Sequence, residues 1–311
     1  MKEKLTPYLR TLTKRSPAVA QQHIKSALEE YDNRSFLRDP LTEDSHEVVK
    51  GLVHKYENRA LTKASLRCAA HCRFCTRYRQ IGMSEGDLQR EDIVNIGNYI
   101  KSHPEIDDVI LSGGDPLYVP KTTVDLLQTL RKIDSIKVFR VDTRLPVHNP
   151  QSFNTSLLGK TIDVIDEIGE NRPFFVILHF EHPDELTEET LQVVKMLRTK
   201  NVTLLSQSVF LKGVNNSVET LRRLFEGLYQ NGVIPYYIYR CDYVRGVERF
   251  VCDIEEERKI MTELRSTLSG IACPTYVIDL PGHGKVTVPL LYWDGVDISH
   301  ARDFKGKEVK I

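Results

Sequence analysis

The sequence predicts an α/β fold in which six parallel strands and their helices form a partial TIM-like barrel. From about Leu61, short β-rich runs alternate with amphipathic helical stretches. Repeated strand–helix units imply a parallel sheet with right-handed crossovers, and six in succession favour a barrel over an open sheet, which stays the alternative. Polar side chains follow the ends of these runs, the edge that carries the chemistry in such barrels.

The 311 residues divide into three predicted segments. Residues 1–60 are expected to form an N-terminal appendage, helical up to about Tyr31 and loop-like from Asp39 to Tyr56. Residues 61–250 are expected to form the barrel. Residues 251–311 are expected to form a short C-terminal extension, with a helix from Asp253 to Leu268 and then an extended run.

The barrel strands are predicted in order along the chain. They are ALTKASLRC, DDVILSGGDP, IKVFRVDTRLP, FFVILHFEHP, NVTLLSQSVF and VIPYYIYRCD. Between the second and third runs, Val124, Leu127, Leu130 and Ile133 repeat at helical spacing, which predicts a helix over 122–133. The polar residues at the strand ends are Cys68, Ser112, Asp115, Arg144, His179, Gln207 and Asp242.

Composition excludes some classes of function. Lys+Arg and Asp+Glu balance at 43 each, so no net charge favours a nucleic acid or an anionic membrane as partner. No apolar run approaches the ~18 residues of a membrane span, and the start of the chain has no signal-type apolar segment. We therefore expect a cytoplasmic enzyme that acts on a small molecule.

Three of the six cysteines stand close together, at Cys68, Cys72 and Cys75. The spacing C-x3-C-x2-C on a loop can place three thiolates at three corners of a cubane iron–sulfur cluster and leave one iron open. The dispersed cysteines are expected as buried thiols and not as disulfides. They are Cys241, Cys252 and Cys273.

Three alternatives to a cluster remain open for this motif. Zinc needs a fourth ligand, and His71 is a poor one because adjacent side chains such as His71 and Cys72 seldom converge on one ion. A redox pair of Cys72 and Cys75 leaves Cys68 without a role. Three unliganded thiols on an arginine-rich loop would be exposed to oxidation with no gain.

Seven motifs along the chain together resemble lysine 2,3-aminomutases, a family of radical S-adenosylmethionine (SAM) enzymes. In order, they are CAAHCRFCTRYR, ILSGGDPL, TRLPV, HFEHP, QSV, PYYIYRCD and DLPGHGK. The resemblance extends from about Asp39 to Pro289. It implies a partial (βα)6 barrel of the radical SAM type that carries a [4Fe-4S] cluster, SAM and pyridoxal 5′-phosphate (PLP). It further implies an isomerase that moves an α-amino group to the β-carbon and takes electrons from a donor such as flavodoxin or ferredoxin.

The resemblance assigns the cysteine trio to the cluster and a second set of residues to SAM. These are Ser112, Gly113, Gly114, Asp115, His179 and Gln207. Two glycines let backbone groups approach a ligand closely. Taken alone, Gly113-Gly114 would be read as a loop turn.

For PLP, the resemblance indicates Lys285 as the residue that forms the Schiff base. Taken alone, Lys285 would be an exposed turn residue. The turn is one residue shorter than the four-glycine run of the family and contains His283. In KYENR, Lys55 and Arg59 are expected at the phosphate. Tyr56 of the same segment is expected at the ring, although the segment alone could be a solvated basic strand edge.

The resemblance also implies substrate contacts. Arg77 is expected at the substrate carboxylate, and Asp242 and Asp279 at its distal ammonium, since a cation in a partly dry pocket needs charge-assisted partners. Each aspartate alone could cap a turn. The expected substrate is free L-lysine, with arginine, ornithine and glutamate as rivals.

Three further expectations follow from the same comparison. A radical SAM enzyme without PLP, or an iron–sulfur binding protein without aminomutase activity, is the alternative function. Glu181 stands where the family usually has asparagine, which is expected to alter the charge of the pocket. Nothing after Cys273 supplies a cysteine, so no structural zinc is expected, and homo-oligomer formation stays open.

Overall fold

We describe the protein from a computed structural model, which covers residues 1–30, 36–83, 87–292, 295–303 and 307–311. The strands are β1 Glu47–Val49, β2 Leu52–Tyr56, β3 Arg59–Ser65, β4 Asp108–Gly113, β5 Val138–Thr143, β6 Phe174–His179, β7 Thr203–Val209, β8 Ile234–Tyr239, β9 Thr275–Leu280, β10 Gly284–Thr287, β11 His300–Arg302 and β12 Glu308–Lys310. The helices are α1 Pro7–Arg15, α2 Pro17–His23, α3 Arg90–Ser102, α4 Pro120–Leu130, α5 Leu145–His148, α6 Ser156–Gly169, α7 Glu188–Leu197, α8 Val218–Gln230 and α9 Ile254–Thr267.

Strands β1 to β10 form one sheet in chain order, and β11 pairs with β12 in a separate hairpin. From β3 to β9 every neighbouring pair is parallel. The edges are antiparallel, with β1 and β2 before β3 and with β10 after β9. This confirms the predicted α/β partial barrel and extends it by one parallel strand, β9.

Alternating burial explains which strand residues face the inside of the barrel. In β5, Phe139, Val141 and Thr143 are buried against the helices, whereas Arg140 and Asp142 point to the other face. The helices show the complementary pattern of one apolar stripe each. In α8, Leu221, Leu224, Phe225 and Leu228 are buried, and the Ser217 side chain caps the helix by accepting from the Thr220 N–H.

One segment differs from the prediction, whereas the extended run predicted near the C-terminus is confirmed as strand. Residues 47–49 and 52–56, predicted as loop, are β1 and β2. These strands are only three and five residues long and are joined through Gly51 at φ +82°. In such short strands, EVV and LVHKY, too few residues are present to show an alternation of apolar and polar side chains. The extended run near the C-terminus forms two strands, β9 and β10, which pair antiparallel.

The main core lies between the sheet and the helices that cover its outer face. It includes Phe139, Phe174 and Phe225. A smaller cluster packs the N-terminal helices against the loop after β3, through Leu9, Leu12, Val19 and Ala70. The division of the chain at residues 60 and 250 stays a prediction, although β1, β2, β9 and β10 belong to the same sheet as the middle segment. Among the described helices, none has the length and apolar content needed to cross a membrane.

Candidate active site

A cavity of about 650 Å³ lies inside the barrel. Many of the residues singled out from the sequence line it, and they come from β2 and β3, from the loop after β3, from β4, β6 and β7, from the loop after β8, and from β9 and β10. They are Lys55, Tyr56, Arg59, Arg77, Ser112, His179, Gln207, Asp242, Asp279 and Lys285. A second cavity of about 670 Å³, between α1 and the start of α7, contains none of the predicted site residues.

The cysteine loop, residues 68–75, follows β3 directly. Cys68, Cys72 and Cys75 are half-buried. Burial raises the pKa of all three thiols, and the charges of neighbouring thiolates contribute to the rise at Cys68 and at Cys75, whose pKa reaches about 12. Within the described ranges, ligand atoms of His23, Cys72 and His148 come within 4.8 Å of one another, whereas the three cysteine sulfurs do not.

The glycine-rich segment after β4 packs against the chain that leads into the cysteine loop. A Cβ at Gly113, which has φ +110°, would lie 2.4 Å from the Ser65 carbonyl oxygen, and one at Gly114 would lie 2.3 Å from the Arg67 carbonyl oxygen. The Gly114 N–H donates to the Ser65 carbonyl at 2.6 Å. The two glycines are therefore required by the protein's own backbone contacts.

Asp115 connects this segment to the end of β5. Its buried carboxylate accepts from the Leu117 N–H at 3.0 Å, the Thr143 hydroxyl at 2.8 Å and the Arg144 N–H at 2.9 Å. The carboxylate thus fixes the loop that carries it. A contact with SAM would use the acceptor capacity that these three bonds leave. That contact stays a prediction.

Arg77 is held by Glu43, a partner that the sequence did not reveal. Its Nε and one terminal nitrogen donate to the two Glu43 oxygens at 2.8 and 2.6 Å. The other terminal nitrogen donates to Ser112 Oγ at 3.3 Å and to the Gly113 carbonyl at 3.0 Å. Arg77 is therefore oriented before any ligand binds, and its predicted contact with a substrate carboxylate stays a prediction.

Lys285 lies in β10 directly opposite Asp279 in β9. Its Nζ donates to Tyr239 Oη at 2.6 Å and lies 4.8 Å from the ring centre of Tyr237. Its backbone N–H donates to Tyr56 Oη at 3.2 Å. Burial lowers the pKa of the amine, although the charge of Asp279 opposes this, so the neutral, nucleophilic form is favoured relative to an exposed lysine.

The short turn before Lys285 presents the amine to the cavity. Gly282 and Gly284 take φ values of +75° and +81°. His283 between them has its Nδ1 3.0 Å from Asp303 Oδ2, and it does not line the cavity. The missing residue of the turn therefore does not keep the Lys285 amine out of the barrel.

Carboxylates surround the same end of the cavity. Burial and the charge of Asp279 raise the pKa of Asp242 to about 8. Burial raises the pKa of Asp142, on β5, to about 6 against the opposing charges of Arg77 and Arg140. Among the described residues, none donates a hydrogen bond to the carboxylate oxygens of Asp142, Asp242 or Asp279, so these oxygens are available to a cationic ligand.

Basic groups lie near the same lysine and carboxylates, since Arg59 and Arg140 are close enough to Lys285, and Lys55 to Asp242, for their charges to interact. The Arg59 guanidinium lies 4.6 Å from the ring centre of Tyr56, and its buried Nε has no hydrogen-bond partner in the described part of the chain. Lys55 Nζ donates to the Leu41 carbonyl at 3.2 Å. Arg140 pairs with Asp108. An anionic group placed here would meet an unsatisfied donor on Arg59.

His179 and Gln207 are cross-strand neighbours on β6 and β7. His179 Nε2 lies 2.6 Å from an oxygen of Glu181, whose side chain is fully buried. The other Glu181 oxygen accepts from the Val209 N–H at 2.7 Å. Glu181 therefore fixes the orientation of His179 and does not itself line the cavity. Its predicted effect on the charge of the pocket stays a prediction.

Comparison with known proteins adds to this geometry. The Radical SAM superfamily profile matches residues 63–225. L-Lysine 2,3-aminomutase of Clostridium subterminale is 36% identical over 287 residues, which cover 91% of this chain and 67% of that protein. L-Lysine 2,3-aminomutase of Escherichia coli K12 is 36% identical over 257 residues, covering 81% and 72%. The chain belongs to the lysine 2,3-aminomutase family of radical SAM enzymes.

The match with the curated relatives covers only part of their length. The chain spans about two thirds of the length of the curated relatives it matches. A radical SAM methyltransferase from Sphaerobacter thermophilus has a TM-score of 0.51 at 14% identity, covering 73% of this chain and 68% of that one, a likeness that concerns the fold alone.

Membership in the lysine 2,3-aminomutase family implies a [4Fe-4S] cluster and SAM, and the cysteine loop fits a cluster. In the described chain the sulfurs of Cys68, Cys72 and Cys75 do not all lie within 4.8 Å of one another, which suits ligation of separate iron atoms better than ligation of one zinc ion. His71, the other zinc candidate, has its Nδ1 2.8 Å from the Lys2 carbonyl.

Several functional candidates of this aminomutase-family chain were missed from the sequence. Asp142 shares the inward face of β5 with Arg140, so alternation along FRVDT could have found it. Tyr239 on β8 carries the hydrogen bond to Lys285, and the tyrosine-rich run PYYIY was a signal for it. Glu43 had no local signal, because its partner Arg77 lies 34 residues away.

Proposed function

We propose that this protein is a PLP-dependent 2,3-aminomutase that moves the α-amino group of a basic L-amino acid to the β-carbon, with L-lysine as the first candidate. One observation carries the proposal. In a single cavity beside the cysteine loop, the half-buried Lys285 lies opposite Asp279, and Asp242 lies close enough to Asp279 for their charges to interact. The names of the relatives in Clostridium subterminale and Escherichia coli support it.

The chemistry itself would come from the bound groups. With one electron, the cluster and SAM would supply a 5′-deoxyadenosyl radical, and PLP would hold the substrate nitrogen during its transfer. The protein's own contribution is placement. Lys285 offers an amine of lowered pKa for attachment of PLP, and Arg59, with its unsatisfied Nε, and Lys55 are proposed to bind the phosphate. Tyr56, which accepts from the Lys285 N–H, is proposed to contact the ring.

SAM is proposed to lie between the cysteine loop and this PLP site. Ser112, His179 and Gln207 line that part of the cavity. His179 is fixed by Glu181, and Ser112 accepts from Arg77, so both side chains are oriented in advance. Gly113, Gly114 and Asp115 are proposed to shape the segment that carries Ser112, from the close backbone contacts described above.

The charge of the cavity supports a basic substrate. A distal ammonium between Asp242 and Asp279 would gain charge-assisted hydrogen bonds from oxygens that no described residue satisfies. A glutamate side chain at the same place would put a third carboxylate beside two others, which is strongly unfavourable in a half-buried site. One terminal nitrogen of Arg77 uses one of its two N–H groups for Glu43, and Arg77 is proposed to bind the substrate carboxylate through the other.

The proposal also includes the source of the electron and the location of the protein in the cell. An electron-transfer protein such as flavodoxin or ferredoxin is proposed as the source of the electron. A cytoplasmic location is proposed because the three remaining cysteines are buried thiols, in keeping with a reducing compartment.

The test is a substrate assay under anaerobic conditions. Protein reconstituted with iron, sulfide and PLP is incubated with SAM, dithionite and one of lysine, arginine, ornithine or glutamate, and each β-amino acid is measured by mass spectrometry. We expect β-lysine as the main product and none from glutamate. Cys75→Ser, which removes one cluster ligand, is the control and should form no 5′-deoxyadenosine.

Two results would contradict the proposal. Turnover of glutamate alone would overturn the assignment of Asp242 and Asp279 to an ammonium. Formation of 5′-deoxyadenosine without any β-amino acid would favour a radical SAM enzyme of another activity.

A further inference from the structure

The N-terminal segment, residues 1–24, is built into the support of the cysteine loop. Lys4 Nζ donates to the Cys68 carbonyl at 2.6 Å, and the Lys4 carbonyl accepts from the His71 N–H at 3.0 Å. The Gln22 carbonyl accepts from the Arg73 N–H at 2.7 Å. These contacts hold the loop from the side that faces away from the cavity.

The buried guanidinium of Arg144 contacts the sulfur of Cys72. One terminal nitrogen of Arg144 donates to Cys72 Sγ at 2.9 Å. The other donates to Glu185 Oε1 at 2.9 Å and to the side-chain carbonyl of Gln22. Arg144 and Glu185 are 5% and 0% exposed, so their charges are little screened by water.

Two histidines lie beside the same sulfur. His23 Nδ1 lies 3.0 Å from the Val19 carbonyl, which can only accept, so this nitrogen carries a proton. His148 Nε2 lies 3.2 Å from His23 Nε2 and 3.6 Å from Cys72 Sγ. Arg144, at 2.9 Å, therefore makes the shorter polar contact with this sulfur.

We propose that Arg144 is a positioning residue that sets the reduction potential of the iron–sulfur cluster through its hydrogen bond to Cys72 Sγ, with Gln22 holding it in place. The reduced cluster carries one more negative charge than the oxidised one, so an adjacent cation and donors to sulfur stabilise the reduced form. Removal of this cation makes electron uptake harder. The inference depends on the cluster that the family implies and not on PLP or on the amino-acid substrate.

The test is a redox titration of the reconstituted protein, followed by the electron paramagnetic resonance signal of the reduced cluster. In Arg144→Gln we expect the equilibrium for electron uptake to fall at least about tenfold, which for a one-electron couple is a shift of about 59 mV to lower potential. In Glu185→Gln, which removes the opposing negative charge, we expect a shift to higher potential. Disruption of packing alone would not produce opposite signs.

The chain offers a matched control in Arg240, which pairs with Glu257 at 2.7 Å. The exposed fractions of these side chains are 8% and 0%, nearly the same as for Arg144 and Glu185. Arg240 makes no hydrogen bond to a cysteine of the loop among the described contacts; its partners are Glu257, Tyr243 and the Cys252 carbonyl. Arg240→Gln should therefore disturb the fold to a similar degree and leave the potential unchanged.

The outcomes separate cleanly. An unchanged potential in Arg144→Gln, or a shift of Arg240→Gln as large as that of Arg144→Gln, overturns the proposal. If Arg144→Gln fails to retain iron, the sign of the Glu185→Gln shift decides, and a fall or no change overturns the proposal. Failure to convert any amino acid would count against the proposed function alone, because the titration needs only the cluster.

Discussion

The two sides of the site differ in how their charges are matched. The cysteine side, as we call it, consists of Glu43, Arg77, Asp115, Arg144 and Glu185. The lysine side consists of Arg59, Asp242, Asp279 and Lys285. On the cysteine side each carboxylate accepts hydrogen bonds from the protein, as Glu43 does from Arg77. On the lysine side the two carboxylates accept none from the described residues, and burial raises the pKa of Asp242 to about 8.

This difference indicates two ways of preparing a site. The cysteine side is preorganised, because its side chains already hold one another in position before a cofactor binds. On the lysine side, Asp242 and Arg59 line the cavity. The Asp242 carboxylate and the Arg59 Nε have no hydrogen-bond partner among the described residues, so their charges are not matched by the protein. Ligand charges of opposite sign would complete this side, so we expect ligand binding to depend more on the lysine side and stability more on the cysteine side.

The largest effect is expected from removal of the amine on the lysine side. Lys285→Ala should lower turnover on the order of a thousandfold or more and abolish the visible absorption band of lysine-bound PLP. Lys55, the other lysine among the described residues that line the cavity, donates to the Leu41 carbonyl and is assigned to the phosphate. His283→Ala in the turn before Lys285, whose ring contacts Asp303, is the control and should keep the band. A band of full intensity in Lys285→Ala would place PLP attachment elsewhere.

The next effect concerns substrate affinity. Asp242→Asn should raise the KM for lysine by roughly ten- to a hundredfold, because a charge-assisted hydrogen bond contributes about 1.5 to 3 kcal/mol. Asp253→Asn, at the start of α9 and outside the cavity, is the matched control and should leave KM unchanged. Equal KM values for the Asp242→Asn variant and the parent would remove Asp242 from the ammonium site.

The elements that carry these residues could largely be predicted from the sequence, because their signals are local. Short β-rich runs located β3 to β8, and the spacing of three cysteines located the cluster loop. The signal was weaker where strands are short or lie near glycine and proline, so β1 and β2 were predicted as loop. For Gly113 and Gly114 the sequence did not reveal the close contacts with the backbone at Ser65 and Arg67, and their assignment to SAM stays a prediction.

The matching of charges could not be predicted, because it depends on contacts between distant parts of the chain. Gln22 and Arg144 are 122 residues apart, and Arg77 and Glu43 are 34 apart. No sequence pattern indicates such a pair, and only the fold brings its members together. The N-terminal segment, predicted as an appendage, thus proves to contact the cysteine loop directly.

A third prediction concerns the pH dependence of the affinity for lysine. Burial, together with the charge of Asp279, keeps Asp242 protonated below a pKa of about 8 in the empty cavity, so a lysine ammonium must displace that proton. Affinity for lysine should therefore increase from pH 6 to pH 8, by up to about tenfold per pH unit. Isothermal titration calorimetry across this range measures it. Asp242→Asn should bind weakly with a flat profile, and an equal slope in both proteins would assign the titration to another group.

The smallest effect is on stability, where the two sides should differ in sign. Asp242 has a folded pKa of about 8, far above its usual value of about 4, so it lowers the free energy of unfolding progressively as the pH rises between these values. For Glu43, burial works to raise the pKa, but the charge and hydrogen bonds of Arg77 lower it overall. Ionised Glu43 therefore adds stability at neutral pH, which is lost as the pH falls from the usual glutamate pKa through the lowered one.

We expect Asp242→Asn to raise the Tm of the ligand-free protein at pH 8 and Glu43→Gln to lower it. Each kcal/mol of change in the free energy of unfolding should shift the Tm by about 2 to 4 °C. Thermal unfolding at pH 5 and pH 8 checks both signs. The gain from Asp242→Asn should shrink at pH 5, where the parent carboxyl is already neutral. If both variants lost stability equally at pH 8, the lysine side would be as well matched as the cysteine side, and its carboxylates would serve the fold instead of a cationic ligand.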